Sequence, residues 1–189
     1  MEIKKENIIA AYNTADDNGK AMLKSLFPDA DFTGEDSKNK PVTERIKSLE
    51  DAMLELGDDN AFVNAYKTYR GEDNNLKAYL ALRIICAALN EGWEPEFTES
   101  EWRWIPWYIL WSAEKLQKKD DDWKQDRHLI SLGDYKTEYA GLAYSNSYFA
   151  PSSTYAIFGS RLCLKSEALA TYCGKQFISL WADFLLIRK

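Results

Sequence analysis

The first half of the chain alternates apolar and polar positions with the spacing of amphipathic helices. Apolar side chains recur three or four positions apart in five stretches before residue 92, and turn-forming Asp, Asn, Gly and Pro residues separate them. The stretch from Leu76 to Leu89 has almost no polar face, which predicts a central helix that is buried on most sides. Thr43 is placed to cap the helix that carries Ile46, Leu49, Met53 and Leu56.

The segment from Glu101 to Leu110 admits more than one interpretation. Aromatic and β-branched residues dominate it, which favours a strand in which Pro106 is confined to an edge or a bulge. Two helical alternatives exist. A helix that starts at the capping box Thr98 to Glu101 would contain Pro106 in its interior, and a helix that starts at Pro106 would have aromatic side chains on all of its sides. We predict the strand, followed by a helix over residues 112–124.

The rest of the chain predicts three short strands and a last helix. The strands cover residues 128–132, 139–149 and 154–164, because Gly, Asp, Pro and Ser residues separate them. Ser166 caps the last helix, whose apolar side chains are Leu169, Tyr172, Cys173, Phe177, Leu180, Trp181, Phe184 and Leu185. The fold class is therefore α+β. A mainly helical region, residues 1–92, precedes an α+β region, residues 93–189, and the two could also form one continuous domain.

Composition and charge narrow the possible partners. Of 189 residues, 46% are apolar and 14% aromatic, which is enough for a substantial core. The net charge of −6 argues against nucleic acid or an anionic membrane as the main partner. The longest nearly unbroken apolar run, from Trp104 to Trp111, is far shorter than the roughly 20 residues of a membrane span.

The chain has no recognisable secretory signal, which predicts a cytoplasmic protein, although delivery into an assembled particle stays open. Its three cysteines lack CxxC spacing, and we expect buried free thiols in a reducing compartment.

Several common chemistries have no motif in this sequence. One histidine and three scattered cysteines leave no zinc cluster, and the glycine-rich phosphate loops and the G-x-S-x-G elbow are absent. We expect neither a metal nor a cofactor. His128 is interpreted as a structural residue, and the acidic clusters as helix-linking turns.

Two functional alternatives rest on the acidic residues. Carboxylates beside the tryptophans could serve a carbohydrate hydrolase, which needs only two of them; the candidates are Glu94, Glu96, Glu99 and Glu101. The acidic helical half could instead engage a basic protein partner, and that binding would collapse with added salt.

The segment from Tyr135 to Ser160 has the composition of a binding loop. Tyr supplies large contact area with few rotatable bonds, whereas Ser and Asn supply adaptable hydrogen bonds. We predict a non-enzymatic protein with a recognition hairpin for a protein or glycan ligand, although an ordinary exposed hairpin would look the same. The predicted binding residues are Tyr139, Tyr144, Ser145, Asn146, Ser147, Tyr148 and Tyr155.

Three groups of residues carry a resemblance to a known set of proteins. They are Ala88 to Pro95, Pro106-Trp107-Tyr108, and Gly159 to Ser166 running on through Ala170 to Ile178. Together they resemble an uncharacterised family of small proteins from gut Bacteroidales and their phages or prophages. The Tyr- and Ser-rich stretch that ends in Gly159 to Leu162 is also similar to variable segments of lectin-like phage receptor-binding proteins. The resemblance implies a phage-related setting and no active site.

Overall fold

The computed structural model describes residues 5–28, 30, 32, 40–96, 98, 100–151 and 160–189. The chain forms two compact units, Met1–Arg45 and Ile46–Lys189. The second unit extends across residue 92, at which the sequence analysis divided the chain.

The first unit is helical in its described parts. Its helices are α1 (Lys5–Thr14), α2 (Asp17–Leu26) and α3 (Val42–Arg45). The side chain of Asp16 caps α2 by accepting a hydrogen bond from the backbone N–H of Gly19 at 2.8 Å. The rings of Tyr12 and Phe32 pack against each other at 4.5 Å between centroids.

The second unit begins with three helices, α4 (Leu49–Leu56), α5 (Ala61–Thr68) and α6 (Asn74–Asn90). Ser48 caps α4, and Asp51 bonds back to the backbone N–H of Ser48. The prediction that Thr43 caps this helix is wrong, because Thr43 lies inside α3 and the chain leaves helical conformation at Ile46.

The helix α6 is the centre of the second unit, as its apolar sequence predicted. Nine of its residues are buried, and α4, α5 and the last helix of the chain pack against it. Its last residue, Asn90, is a buried amide that bonds to two backbone groups of a later segment. It donates to the carbonyl of Cys163 at 2.9 Å and accepts from the N–H of Lys165 at 3.0 Å.

The sheet has three antiparallel strands in the order β1 (Trp102–Trp111), β3 (Gly141–Pro151) and β2 (Ile130–Ser131). The predicted strand at Glu101 to Leu110 is therefore confirmed. The backbone N–H of Trp104 donates to the carbonyl of Leu164 at 3.0 Å, on the edge of β1 that faces away from β3. Two residues later, Pro106 has its nitrogen on that same edge, so its missing N–H removes no hydrogen bond from the β1–β3 ladder.

Two predicted helices are each broken into two. Residues 112–124 form α7 (Ala113–Gln117) and α8 (Asp121–Asp126), with Ser112 and Asp120 as caps. The last helix divides into α9 (Glu167–Gln176) and α10 (Ile178–Leu185) at Phe177. The predicted strand at 154–164 lies mostly outside the described residues. In its described end, Ser160–Leu162 is a turn of 3₁₀ helix, and Leu164 forms an antiparallel β-bridge with Trp104.

The two last helices join the sheet to the helical layer. α9 packs on β1 and β3, whereas α10 packs along α6. Gly174 of α9 permits the close approach, because a Cβ there would come within 2.5 Å of the Pro106 Cβ. Trp181 of α10 is completely buried and lies 6.0 Å from the ring of Tyr108. The architecture is α+β, as predicted.

Candidate recognition surface

A β-bulge in β3 decides which side chains of the Tyr- and Ser-rich segment face outward. In the β1–β3 ladder Trp107 pairs with Asn146 and the next residue, Tyr108, pairs with Tyr144. Ser145 is therefore the extra residue. Before the bulge Tyr144 points to the side covered by α9; after it Ser147, rather than Asn146, points to that side.

The inward residues of the segment join a closed group of hydroxyls. The Tyr144 hydroxyl lies 2.9 Å from both the Ser147 and the Thr171 hydroxyl oxygens, and these two are 3.1 Å apart. The side chain of Tyr144 is only 5% exposed. Tyr144 and Ser147 were predicted on an exposed recognition surface; the structure instead places both inside, because the bulge turns them toward α9.

The outward residues form an exposed aromatic surface on the opposite face of the ladder. Tyr148 is 49% exposed and Trp107 is 41% exposed, and their rings meet edge to face at 6.0 Å. Ile109 and Asn146 on the same face are also exposed. We refer to Trp107, Ile109, Asn146 and Tyr148 as the outer patch.

Neighbouring rings limit the motion of the outer patch. Tyr148 is stacked on Phe149 at 5.3 Å with an interplanar angle of 10°. Phe149 in turn contacts the ring of Trp102 at 4.2 Å. At the other end of this face, Trp111 packs against Trp123 of α8 at 4.9 Å, which covers that part of the ladder. The exposed part thus lies on a connected row of rings, a rigid support for a contact surface.

The other predicted binding residues lie apart from the outer patch. Ser145 is half-buried at the bulge, where its carbonyl accepts a hydrogen bond from the Arg127 guanidinium. Tyr139 is 39% exposed but precedes β3. At about 3.3 Å per residue it is roughly 25–30 Å along the chain from Tyr148. Tyr155 lies outside the described residues.

Sequence reasoning missed two members of this surface, Trp107 and Ile109. Both were counted within an aromatic segment whose tryptophans were assigned to the core. Position parity was the available signal for their direction: Trp107 and Ile109 alternate with Pro106 and Tyr108 along the strand, so they face the other side of the sheet. Parity does not give their exposure, since Ile105 shares their side and is completely buried.

One of the carboxylates proposed for hydrolysis, that of Glu101, has a local backbone partner. Glu101 accepts a hydrogen bond from the backbone N–H of Glu96, so it holds the local loop. Glu99 lies outside the described residues. Within the described ranges, no group of His, Cys, Asp and Glu residues is arranged to hold a metal ion.

The single histidine ends a helix. His128 has a positive φ of 48°, and its N–H donates to the carbonyl of Gln125 at 3.1 Å. The next N–H, that of Leu129, donates to the carbonyl of Lys124 at 2.9 Å. These two bonds form a Schellman motif, in which His128 occupies the position that usually holds Gly or Asn.

The three cysteines are buried thiols outside any disulfide, as predicted. Burial raises the pKa of Cys163 to about 11. The pKa of Cys86 is raised by its hydrogen bond with Cys173 and by burial. All three are packed side chains, and a raised thiol pKa leaves little of the reactive thiolate in Cys86 and Cys163.

Comparison of the chain with known protein families, with curated proteins and with solved structures finds no match. In the part of the chain that the structure describes, no helix has the length and apolar character needed to cross a membrane.

Proposed function

We propose that this chain is a non-enzymatic binding protein whose outer patch captures a glycan. The observation that carries the proposal is the exposure of Trp107, Ile109 and Tyr148 side by side on one rigid sheet face, next to the exposed amide of Asn146. Exposed apolar side chains that adjoin one another on a folded domain are typical of an interaction site.

The size of the outer patch favours a small ligand over a protein. Its three large apolar side chains are each less than half exposed, so together they present on the order of 250 Å². A standard protein interface buries about 800 Å² on each partner. Sugar rings present a C–H face that stacks on aromatic rings and hydroxyls that an amide can bond. Tyr148, Trp107 and Asn146 offer these groups together.

The proposed setting is a phage or prophage of gut Bacteroidales. It rests on the sequence resemblance described above, and a glycan ligand agrees with it because bacterial surfaces are rich in polysaccharide. The protein would then act as a structural or receptor-binding component. The acidic net charge is compatible with a neutral or basic glycan.

The experiment is a binding screen with variants in the outer patch and one variant before β3. The probes are a printed array of neutral and amino-sugar oligosaccharides and capsular polysaccharide purified from gut Bacteroidales. Trp107→Ala and Tyr148→Ala are each expected to lower binding at least 10-fold, while the thermal unfolding midpoint falls by no more than about 5 °C. Tyr139→Ala is the matched control, since it removes a ring of similar exposure far from the patch.

Three outcomes would contradict the proposal. Binding lost only in Tyr139→Ala would move the recognition surface to the start of β3. No binding of any array glycan or polysaccharide by the parent protein would remove the glycan function. Release of reducing ends from the polysaccharide by the parent protein would make the chain a hydrolase.

A further inference from the structure

We propose that Arg127 is the positioning residue of the outer patch, because it holds the bulge that turns Asn146 and Tyr148 outward. This inference rests on the proposed function for its biological meaning, but its geometric claim is tested without any ligand. The residue lies just after α8, outside the Tyr- and Ser-rich segment, and contacts the bulge with both its backbone and its side chain.

The bulge leaves backbone groups that the β1–β3 ladder does not pair. An extra residue in one strand interrupts the ladder, and buried backbone N–H and C=O groups need partners elsewhere. Arg127 bonds to backbone groups at the bulge. Its guanidinium donates to the carbonyl of Ser145, the extra residue. Its carbonyl accepts at 2.9 Å from the N–H of Tyr144, which lies on the edge of β3 that faces away from β1. Arg127 is thus bonded to two consecutive residues, Tyr144 and Ser145, which flank the first peptide bond of the bulge.

The surrounding charges hold the guanidinium near the bulge. Asp126 lies 3.3 Å from the Arg127 Nε and 3.0 Å from the Lys175 Nζ, so one carboxylate joins α8 to α9. A hydrogen bond from Lys175 holds the pKa of Asp126 below its usual value. Lys175 also lies 5.5 Å from the centre of the Tyr144 ring. These contacts keep the segment that carries Arg127 close to the first residue of the bulge.

Strand geometry predicts what happens if the bonds from Arg127 are lost and the bulge disappears. Side chains alternate strictly in a regular strand, so a β3 without the bulge and with Tyr144 inward would also place Asn146 and Tyr148 inward. Ser147 would then face outward. The outer patch would lose its tyrosine and its amide, and Trp107 would lose the ring that meets it at 6.0 Å.

The variant Arg127→Met removes the guanidinium and leaves the backbone carbonyl in place. Its direct readout is the nuclear Overhauser contact between the Trp107 and Tyr148 rings, together with the thermal unfolding midpoint. We expect the contact to weaken at least 3-fold. Lys118→Met is the matched control, because it breaks an exposed ion pair, that with Glu114, that has no part in holding the bulge. It is expected to keep the contact at parent intensity with a similar midpoint.

An unchanged Trp107–Tyr148 contact in folded Arg127→Met would overturn the inference. Should that variant fail to fold, Arg127→Lys decides, since it keeps the charge but replaces the planar donor fork with one ammonium. A weakened contact with a midpoint within about 2 °C of the parent then supports the inference; a contact of full intensity overturns it. Glycan binding is measured separately, so its absence in the parent rejects the proposed function and leaves the geometric result to stand or fall alone.

Discussion

The two faces of the β1–β3 ladder are both aromatic, yet they differ in what their polar atoms contact. On the inner face the Tyr144 hydroxyl is enclosed by the hydroxyls of Ser147 and Thr171, under α9. On the outer face Tyr148 meets Trp107 edge to face and is half exposed. The same residue type therefore stabilises the fold at one position and is available to a ligand four residues later. Composition alone does not distinguish the two roles; the bulge at Ser145 does.

The strongest test of the inner face is Trp181→Ala. The side chain is fully buried between the sheet and the helical layer, with its ring 6.0 Å from Tyr108 and 6.2 Å from Phe184. Its removal leaves a large cavity, and we expect the free energy of unfolding to fall by about 3–5 kcal/mol. Chemical denaturation measures this value. A loss below about 1 kcal/mol would show that α10 is not docked on the sheet.

A second test compares the two tyrosines directly. Tyr144→Ala should cost about 3 kcal/mol of unfolding free energy, since it removes a buried ring and one member of the hydroxyl group. Tyr144→Phe should cost only about 1 kcal/mol, because Ser147 and Thr171 still bond to each other at 3.1 Å. Tyr148→Ala is the matched comparison on the outer face, with an expected loss of only about 1 kcal/mol, because it removes a half-exposed ring and its contacts with Trp107 and Phe149. Equal losses for Tyr144→Ala and Tyr148→Ala would abolish the distinction between the faces.

The difference between the two faces also shows which features the sequence alone could predict. Local patterns predicted the apolar α6, the strand around Pro106 and the α+β class, because hydrophobic periodicity and β-propensity are properties of short segments. The sequence patterns did not predict that Tyr144 and Tyr148 face opposite sides of the sheet. They are four positions apart, so regular alternation would put both on one face, and only the pairing of β3 with β1 reveals the extra residue.

The sequence did not identify Arg127 as the residue that supports the bulge, for a related reason. Arg127 lies 18 residues from Ser145 in sequence, and nothing in its own neighbourhood distinguishes it from other surface arginines. The helix break at Phe177 was missed because the apolar positions continue across it while the backbone does not. The break at Lys118 lies in a polar run, where the capping residue Asp120 was the available signal. Long-range contacts decide such details, and a single sequence carries little information about them.

The smallest expected effect concerns the corner that carries Arg127 to the outer patch. His128 ends α8 with a positive φ of 48°, a conformation that costs an L-residue free energy and costs glycine little. His128→Gly should therefore be more stable than His128→Ala by about 1 kcal/mol, and both should keep the Trp107–Tyr148 contact. Chemical denaturation of the two variants gives the difference. If alanine proved as stable as glycine, the left-handed turn would not be the conformation in solution. If His128→Ala also lost the contact between the Trp107 and Tyr148 rings, the imidazole itself would be supporting the outer patch. The bulge would then depend on His128 as well as on Arg127.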